Sequence, residues 1–373
     1  MLQVSHNSAR PLAYGQLRRR GTYNPVYGQV GQFGRTEPLA EVCLMQEMTT
    51  LSAVDQLQAL RTGAGVASLT AGWIAVTGSD RVRWLNGMVT NSVQALTPGE
   101  GAYSFLLSAQ GRIQGDLMIW AKPDLLLLET SPAQVENIVA LLDRFIIMDD
   151  VELNDESAWW HGMLVAGPQA AEKLTAAGVT VRATKLLKKL AVPYAGTDVQ
   201  VVCAYSPLVP RFEVWSRDAA VLEQLRAALV QDGVALCDAD GLELFRIAEG
   251  TPRYGTDIRD RDLPQETNQT RALHFNKGCY LGQEIVERIR SRGNVHRTFT
   301  SFALTGDVPA PGTPLEAEGK PVGELTSVAA EEIDGRRLAL GFIRREALDR
   351  GLAITYAGGT AVQAHTPEAT AAS

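Results

Sequence analysis

The order of the predicted elements changes at Arg297, and this change constrains the fold more than any other feature of the chain. Between Leu51 and Gln231, predicted strands and helices alternate, whereas after Arg297 short alternating segments are separated by turns rich in Gly and Pro. The first pattern is typical of α+β units with antiparallel sheets rather than of a doubly wound parallel sheet. The second is typical of a small β-barrel. We therefore predict an α+β region over residues 48–297 and a barrel over residues 298–365.

The two ends of the chain differ from the rest. Residues 1–36 contain five arginines and no acidic residue, with no sustained hydrophobic period, so we predict that residues 1–47 are a disordered extension. Such an arginine-rich start is also compatible with a transit peptide, which would direct the protein to the mitochondrial matrix. The interpretation we favour is an overextended N-terminus upstream of Met45 or Met48. Residues 366–373 are small and polar, and we predict that they are frayed.

Composition excludes several classes of function. Charged residues make up 21% of the 373 residues and hydrophobic residues 45%, which are ordinary globular values. A net charge of −7 argues against a protein that coats nucleic acid or an anionic membrane, and no apolar run is long enough to cross a bilayer. The four cysteines show no CxxC spacing and no Cys/His cluster. They favour free thiols in the cytoplasm, and we predict a monomer without a stable metal.

The segment 277–284 is the most informative for function. It places Cys279 between Lys277 and the start of a predicted helix, whose first turn contains Gln283 and Glu284. A helix N-terminus and a nearby ammonium both favour the thiolate, which is the nucleophilic form of cysteine. The alternative is a structural loop cysteine surrounded by solvated charges, and the residues alone favour neither interpretation.

A basic run follows this segment directly. It consists of Arg288, Arg290, Arg292, His296 and Arg297. These residues could steer an anionic ligand or a partner toward the thiol. The interpretation we favour is a solvated helix face, because glutamates stand at helical spacing from the first two arginines.

Two further places could contact a ligand. Arg253 and Tyr254 lie in a loop with one Pro and two Gly, and together they could bind a planar anionic ligand by stacking and hydrogen bonding. A rigid turn explains the same residues equally well. Asp116 sits in an otherwise apolar strand, where it could hold the polar edge of a heterocycle or simply face solvent.

The segment 277–284, together with Arg292-Gly293, closely resembles the signature of YgfZ-type folate-binding proteins. These proteins are relatives of the glycine-cleavage T-protein, the tetrahydrofolate-dependent aminomethyltransferase. Residues 76–91 resemble the first helix and turn of that superfamily, residues 99–117 its first hairpin, and residues 253–258 its glycine-tyrosine loop. The resemblance implies a three-lobed fold, in which two antiparallel-sheet α/β lobes and a C-terminal β-barrel surround a central ligand hole.

The resemblance also implies a function and a site. It implies binding of tetrahydrofolate, or of a one-carbon derivative, and a role in assembly or repair of iron–sulfur clusters with client enzymes or assembly proteins as partners. Cys279 and Lys277 are the implied catalytic residues. The implied folate-binding residues are Asp116, Arg253, Tyr254, Tyr280, Gln283, Glu284, Asn91 and Tyr103.

The chain departs from the aminomethyltransferases in its acidic residues. Their Asp-Asp-Leu step is Gly115-Asp116-Leu117 here, and Leu208 replaces a glutamate of their Gly-Tyr-Thr-Gly-Glu stretch. We therefore favour an accessory factor that uses the thiol of Cys279. The alternatives are a tetrahydrofolate-dependent aminomethyltransferase or methyltransferase, and a non-catalytic scaffold whose segment 288–297 docks a client.

Overall fold

The computed structural model describes residues 51–181, 185–293 and 295–364, all within one compact unit. The predicted extension 1–47 and the predicted tail 366–373 lie outside these residues. The helices are α1 Ala53–Thr62, α2 Arg81–Asn86, α3 Val135–Asp143, α4 Ala170–Ala176, α5 Ala219–Gln231, α6 Ala239–Glu249, α7 Gln283–Arg292 and α8 Arg345–Asp349. No helix in these ranges is both long enough and apolar enough to span a bilayer.

The strands alternate with the helices in the order that the sequence predicts. They are β1 Gly65–Leu69, β2 Gly72–Thr77, β3 Gly101–Leu107, β4 Ile113–Ala121, β5 Leu126–Thr130, β6 Glu152–Asp155, β7 His161–Ala166, β8 Lys189–Tyr194, β9 Thr197–Ala204, β10 Arg211–Ser216, β11 Ala235–Leu236, β12 Arg297–Gly306, β13 Pro314–Ala317, β14 Lys320–Val328, β15 Arg337–Arg344, β16 Ile354–Tyr356 and β17 Gly359–Ala364. They form two open sheets and a barrel. The predicted α+β class with two antiparallel-sheet lobes and a C-terminal barrel is therefore confirmed.

The two open sheets are interleaved along the chain. One has the order β3-β4-β5-β2-β6 and the other β11-β1-β7-β10-β9-β8, so the neighbours β1 and β2 belong to different sheets. Among the described strands only the β1–β11 pair is parallel. Helices cover one face of each sheet, because their apolar stripes pack onto it: Leu85 and Ile138 onto the first, and Leu174 and Leu225 onto the second. The lobes are therefore not two successive stretches of sequence.

The barrel closes in the order β12-β15-β14-β13-β16-β17. Closure removes the exposed strand edges that would otherwise invite aggregation. Two glycines allow β14 and β15 to approach closely: a Cβ at Gly323 would lie 2.2 Å from the carbonyl oxygen of Phe342, and one at Gly341 would lie 2.2 Å from that of Glu324. Any side chain at either glycine would force the two strands apart.

Tryptophans join the two open sheets. Trp73 and Trp120 from the first sheet and Trp215 from the second share one buried cluster. The rings of Trp73 and Trp215 meet edge to face with centroids 4.9 Å apart, a favoured aromatic geometry. The sheets are thereby held against each other, and a cavity lies beside this contact.

Candidate functional site

The central cavity has a volume of about 310 Å³ and is lined by both open sheets and by the loop after α6. Its polar walls are formed by Tyr103, Asp116, Glu129, Thr130, Ser131, Gln134, Arg211, Glu213, Arg246, Arg253 and Tyr254. This volume is within the range of small-molecule sites. Of the predicted folate-binding residues, the structure brings four to the cavity: Tyr103, Asp116, Arg253 and Tyr254.

Asp116 on β4 is fixed at both carboxylate oxygens. Oδ2 accepts a hydrogen bond from the Tyr103 hydroxyl at 2.7 Å, and Oδ1 accepts one from Nε2 of Gln134 at 2.8 Å. Burial raises the pKa of Asp116, although both hydrogen bonds oppose the shift. The cavity therefore contains a rigid carboxyl group, and this side chain does not extend into open solvent.

Two more carboxylates line the cavity, and the sequence analysis missed both. Oε2 of Glu129 on β5 accepts a hydrogen bond from the Trp120 indole at 2.7 Å. Oε1 of Glu213 on β10 accepts one from Arg211 at 2.7 Å. Burial and the neighbouring Glu213 raise the pKa of Glu129 to about 7. The sequence contains a pattern that could have identified Glu129, because this residue is an isolated acid in an apolar strand, as Asp116 is.

A buried lysine lies behind this wall. Lys189 on β8 is only 4% exposed, and its ammonium has no hydrogen-bond acceptor among the described residues. It lies 4.4 Å from the ring centroid of Trp73 and 4.9 Å from that of Trp120, where the negative ring faces attract a cation. Burial lowers the pKa of Lys189 to about 8, and Glu129 opposes that shift. The lysine and the glutamate therefore partly neutralise each other.

Replacing Glu129 by glutamine is expected to flatten the dependence of stability on pH. Because the folded pKa of about 7 is above its ordinary value of 4.5, the native state binds more protons than the unfolded state between these values. The free energy of unfolding of the natural protein therefore falls as pH rises from 4.5 through 7, by about 3 kcal/mol. Urea unfolding at several pH values would measure the slope. Glu152→Gln on the exposed strand β6 is the control, and an unchanged slope in Glu129→Gln would contradict the assignment.

Arg253 and Tyr254 are held in a rigid turn that also faces the cavity. The amide of Arg253 donates to Oδ2 of Asp257 at 2.9 Å, and its guanidinium pairs with Glu243. The Tyr254 hydroxyl donates to Asp260. The two interpretations of this loop are therefore compatible, because the turn fixes two side chains that line the cavity.

Asn91 supports a stacked arginine. Its Nδ2 donates to the carbonyl oxygens of Tyr103 and Arg271, both at 2.9 Å. The Arg271 guanidinium lies 4.4 Å from the ring centroid of Tyr103 and 4.0 Å from that of Tyr205. The sequence analysis missed Arg271, because its stacking partners are far away along the chain. A direct contact of Asn91 with folate stays a prediction.

Cys279 is exposed on the loop that precedes α7 and is not among the residues lining the central cavity. The ammonium of Lys277 donates to the carbonyl oxygens of Asn86, Val89 and Asn91 at 2.7, 2.6 and 2.6 Å. Burial lowers the pKa of Lys277 to about 7. The hydrogen bonds to three carbonyl oxygens use all three protons of the ammonium and therefore favour its charged form. Lys277 thus fixes the loop onto the turn after α2, and its predicted effect on the thiolate stays a prediction.

The remaining predicted residues hold or border this loop. Tyr280 is buried in a cluster with Phe105 and Ile113, and its amide donates to Oε1 of Gln283 at 3.3 Å. Glu284 is exposed and pairs with Arg288 on its own helix. Tyr280, Gln283 and Glu284 do not line the central cavity, and their contact with folate stays a prediction.

The start of the basic run is a solvated helix face, as we favoured. Besides the pair of Arg288 with Glu284, Arg290 lies 3.5 Å from Glu287. Within the described ranges, no group of three or more His, Cys, Asp and Glu residues is arranged to hold a metal ion.

The sequence matches two known domain families. Residues 9–277 match the GCVT N-terminal domain, and residues 296–372 match the CAF17 C-terminal beta-barrel domain. The chain belongs to the GCVT family. The second match covers the closed barrel, and residues 278–295, which include Cys279 and α7, lie between the two matched ranges.

Individual relatives agree with this assignment. The chain is 23% identical to a chloroplastic protein of Arabidopsis thaliana that is named as a transferase, over 81% of this chain and 70% of the relative. It is 27% identical to an aminomethyltransferase of Geobacillus kaustophilus, over 79% and 83%. Among solved structures, aminomethyltransferase T of the glycine cleavage system from Bartonella henselae superposes with a TM-score of 0.75 at 18% identity, covering 85% of this chain and 90% of that one. The T-protein fold is therefore shared.

Proposed function

We propose that this protein binds tetrahydrofolate in the central cavity and acts as an accessory factor in assembly or repair of iron–sulfur clusters, with Cys279 as its reactive group. The observation that carries the proposal is the separation of the exposed thiol from the cavity. A folate in the cavity would leave the thiol accessible to a partner protein. The match to the CAF17 barrel and the resemblance of segment 277–284 to YgfZ-type proteins support the same role.

The polar groups of the cavity suit a pterin. A pterin presents hydrogen-bond donors at its amino and ring N–H groups and acceptors at its carbonyl and ring nitrogens. Glu129 and Glu213 accept hydrogen bonds, and Arg253 can donate them. The Tyr254 hydroxyl donates its proton to Asp260, so its oxygen can accept a hydrogen bond from the ligand. Asp116 faces the reduced part of the ring in this proposal.

The loop residues act through Cys279. Tyr280, Gln283 and Lys277 hold the loop in place, and the thiolate of Cys279 reacts with a sulfur or one-carbon species or binds iron transiently. The solvent-exposed position of this sulfur suits such chemistry, because thiolate reactivity requires access.

Replacing Cys279 by serine is expected to abolish support of iron–sulfur enzymes without changing folate binding. The reason is that serine fills the same volume but is a far weaker nucleophile and iron ligand. Activity of iron–sulfur enzymes in a deletion strain and calorimetric titration with tetrahydrofolate would measure the two effects. Cys203→Ser, on β9, is the control. Full rescue by the Cys279→Ser variant would contradict the thiol mechanism.

The geometry of Asp116 favours a second candidate, a tetrahydrofolate-dependent aminomethyltransferase. The carboxyl group is rigid and faces the cavity, and relatives are named as aminomethyltransferases. We expect no turnover with aminomethyl-lipoyl protein as donor, because the neighbouring aspartate of those enzymes is Gly115 here. Turnover by the natural protein that falls at least about 100-fold in Asp116→Asn would establish this candidate instead.

A further inference from the structure

A second cavity, larger than the central one, lies between the barrel and the β3–β4 turn. Its volume is about 830 Å³. Arg112 of the turn forms one wall, and Val322, Phe342 and Arg344 of the barrel form the opposite one. We call this cavity the barrel cleft. It shares none of its lining residues with the central cavity.

The barrel cleft is positively charged although the chain has a net charge of −7. Arg112, Arg261, Arg297 and Arg344 line it together with one acid, Glu324. Arg261 pairs with Glu324, and Arg297 pairs with Asp262 and Glu266. In the described part of the chain, neither Arg112 nor Arg344 pairs with a carboxylate. Nη1 of Arg112 donates to the carbonyl oxygen of Arg261, so the remaining donors of Arg112 and the guanidinium of Arg344 are available for an anionic ligand.

The rest of the lining is apolar. Pro314, Pro321 and Val322 face the same space, whereas the side chains of Phe342 and Ile343 border it but are buried in the core. A single phosphate or carboxylate would contact the arginines and leave this apolar surface uncovered. A polynucleotide is disfavoured by Glu324 and by the acidic chain as a whole. The surface fits an extended peptide that carries both carboxylates and apolar side chains.

The cleft lies next to the signature loop. A Cβ at Gly111 would lie 2.7 Å from Cβ of Ile285 on α7, and a Cβ at Gly282 would lie 3.2 Å from Cα of Gly111. The turn that bears Arg112 therefore packs against the start of α7. Cys279 precedes Gly282 by three residues, which span at most about 11 Å. A partner held in the cleft would be close to the exposed thiol.

We propose that the barrel cleft docks an acidic, partly apolar peptide segment of a partner protein and thereby brings that partner to Cys279. The guanidinium groups of Arg112 and Arg344 bind its carboxylates, and the surface formed by Pro314, Pro321 and Val322 packs against its apolar side chains. This inference rests on the proposed function in one respect, namely that the docked partner is the protein on which the thiol of Cys279 acts.

The test uses a fluorescein-labelled peptide of alternating glutamate and leucine, titrated with the full-length protein and followed by fluorescence anisotropy. We expect binding that weakens between 50 and 200 mM salt and that falls at least about 10-fold in Arg112→Glu/Arg344→Glu. Arg344→Glu alone, at an exposed position, should weaken binding in the same direction if the double variant fails to fold. Arg336→Glu, an exposed barrel arginine outside the cleft, is the control and should bind normally.

Several outcomes would overturn the inference. They are unchanged binding in the cleft variants, equal binding of a peptide with lysine in place of glutamate, and displacement of the peptide by equimolar inorganic phosphate. Tetrahydrofolate titration of the same variants separates this inference from the proposed function. The cleft variants should bind folate as the natural protein does. If the natural protein binds the peptide but not folate, only the proposed function is contradicted.

Discussion

Replacing Lys277 by methionine is expected to lower the free energy of unfolding by about 2–4 kcal/mol. Methionine has nearly the same length but cannot donate hydrogen bonds. The carbonyl oxygens of Asn86, Val89 and Asn91 would lose a donor at 2.6–2.7 Å. The loop that carries Cys279 would then separate from the turn after α2, so the position and the reactivity of the thiol would also change.

Urea unfolding and the alkylation rate of Cys279 would distinguish a structural role of Lys277 from a catalytic one. Lys188→Met is the matched control, because this half-buried lysine donates to a single carbonyl oxygen among the described residues, that of Pro98 at 3.2 Å. We expect a change within about 0.5 kcal/mol there. If Lys277→Met keeps full stability and only slows alkylation, the ammonium acts on the thiolate and the structural assignment is wrong.

Replacing Asp257 by alanine is expected to cost about 2–4 kcal/mol, because it removes the acceptor of four hydrogen bonds from a fully buried position, although Arg246 keeps its ion pair with Glu243. Asp257 is 0% exposed. Its Oδ2 accepts from Arg246 at 2.7 Å and from the amide of Arg253 at 2.9 Å, and its Oδ1 accepts from Thr326 and Ser327 of the barrel. This one carboxylate thus connects α6, the loop beside the central cavity and the barrel.

The same substitution should weaken tetrahydrofolate binding, because Arg246 and Arg253 both line the central cavity. Thermal unfolding and calorimetric titration would measure the two effects together. Glu223→Ala on α5 is the control: Glu223 pairs with Arg226 at 2.5 Å on an exposed helix face, and such pairs contribute less than about 1 kcal/mol. Unchanged stability of Asp257→Ala would show that the connection to the barrel is dispensable.

The candidate site was partly predictable from sequence. Asp116 and the Arg253-Tyr254 turn were found because charged or aromatic residues interrupt apolar or glycine-rich stretches. Glu213 was missed, because its strand alternates polar and apolar residues and resembles a strand with one solvated face. Lys277 was identified, but its contacts were not, since its three acceptors lie 186 to 191 residues earlier in the chain.

The sequence alone determined the type and order of the elements, the barrel after Arg297 and the position of Cys279 before a helix. These features depend on hydrophobic periods and turn residues, which are properties of short stretches of chain. Only the tertiary structure decided that the consecutive strands β1 and β2 belong to different sheets, that Glu129 and Glu213 line the same cavity, and that the Lys277 ammonium binds backbone carbonyl oxygens rather than the sulfur of Cys279. Those outcomes depend on which distant surfaces bury each other, and no local pattern specifies that choice.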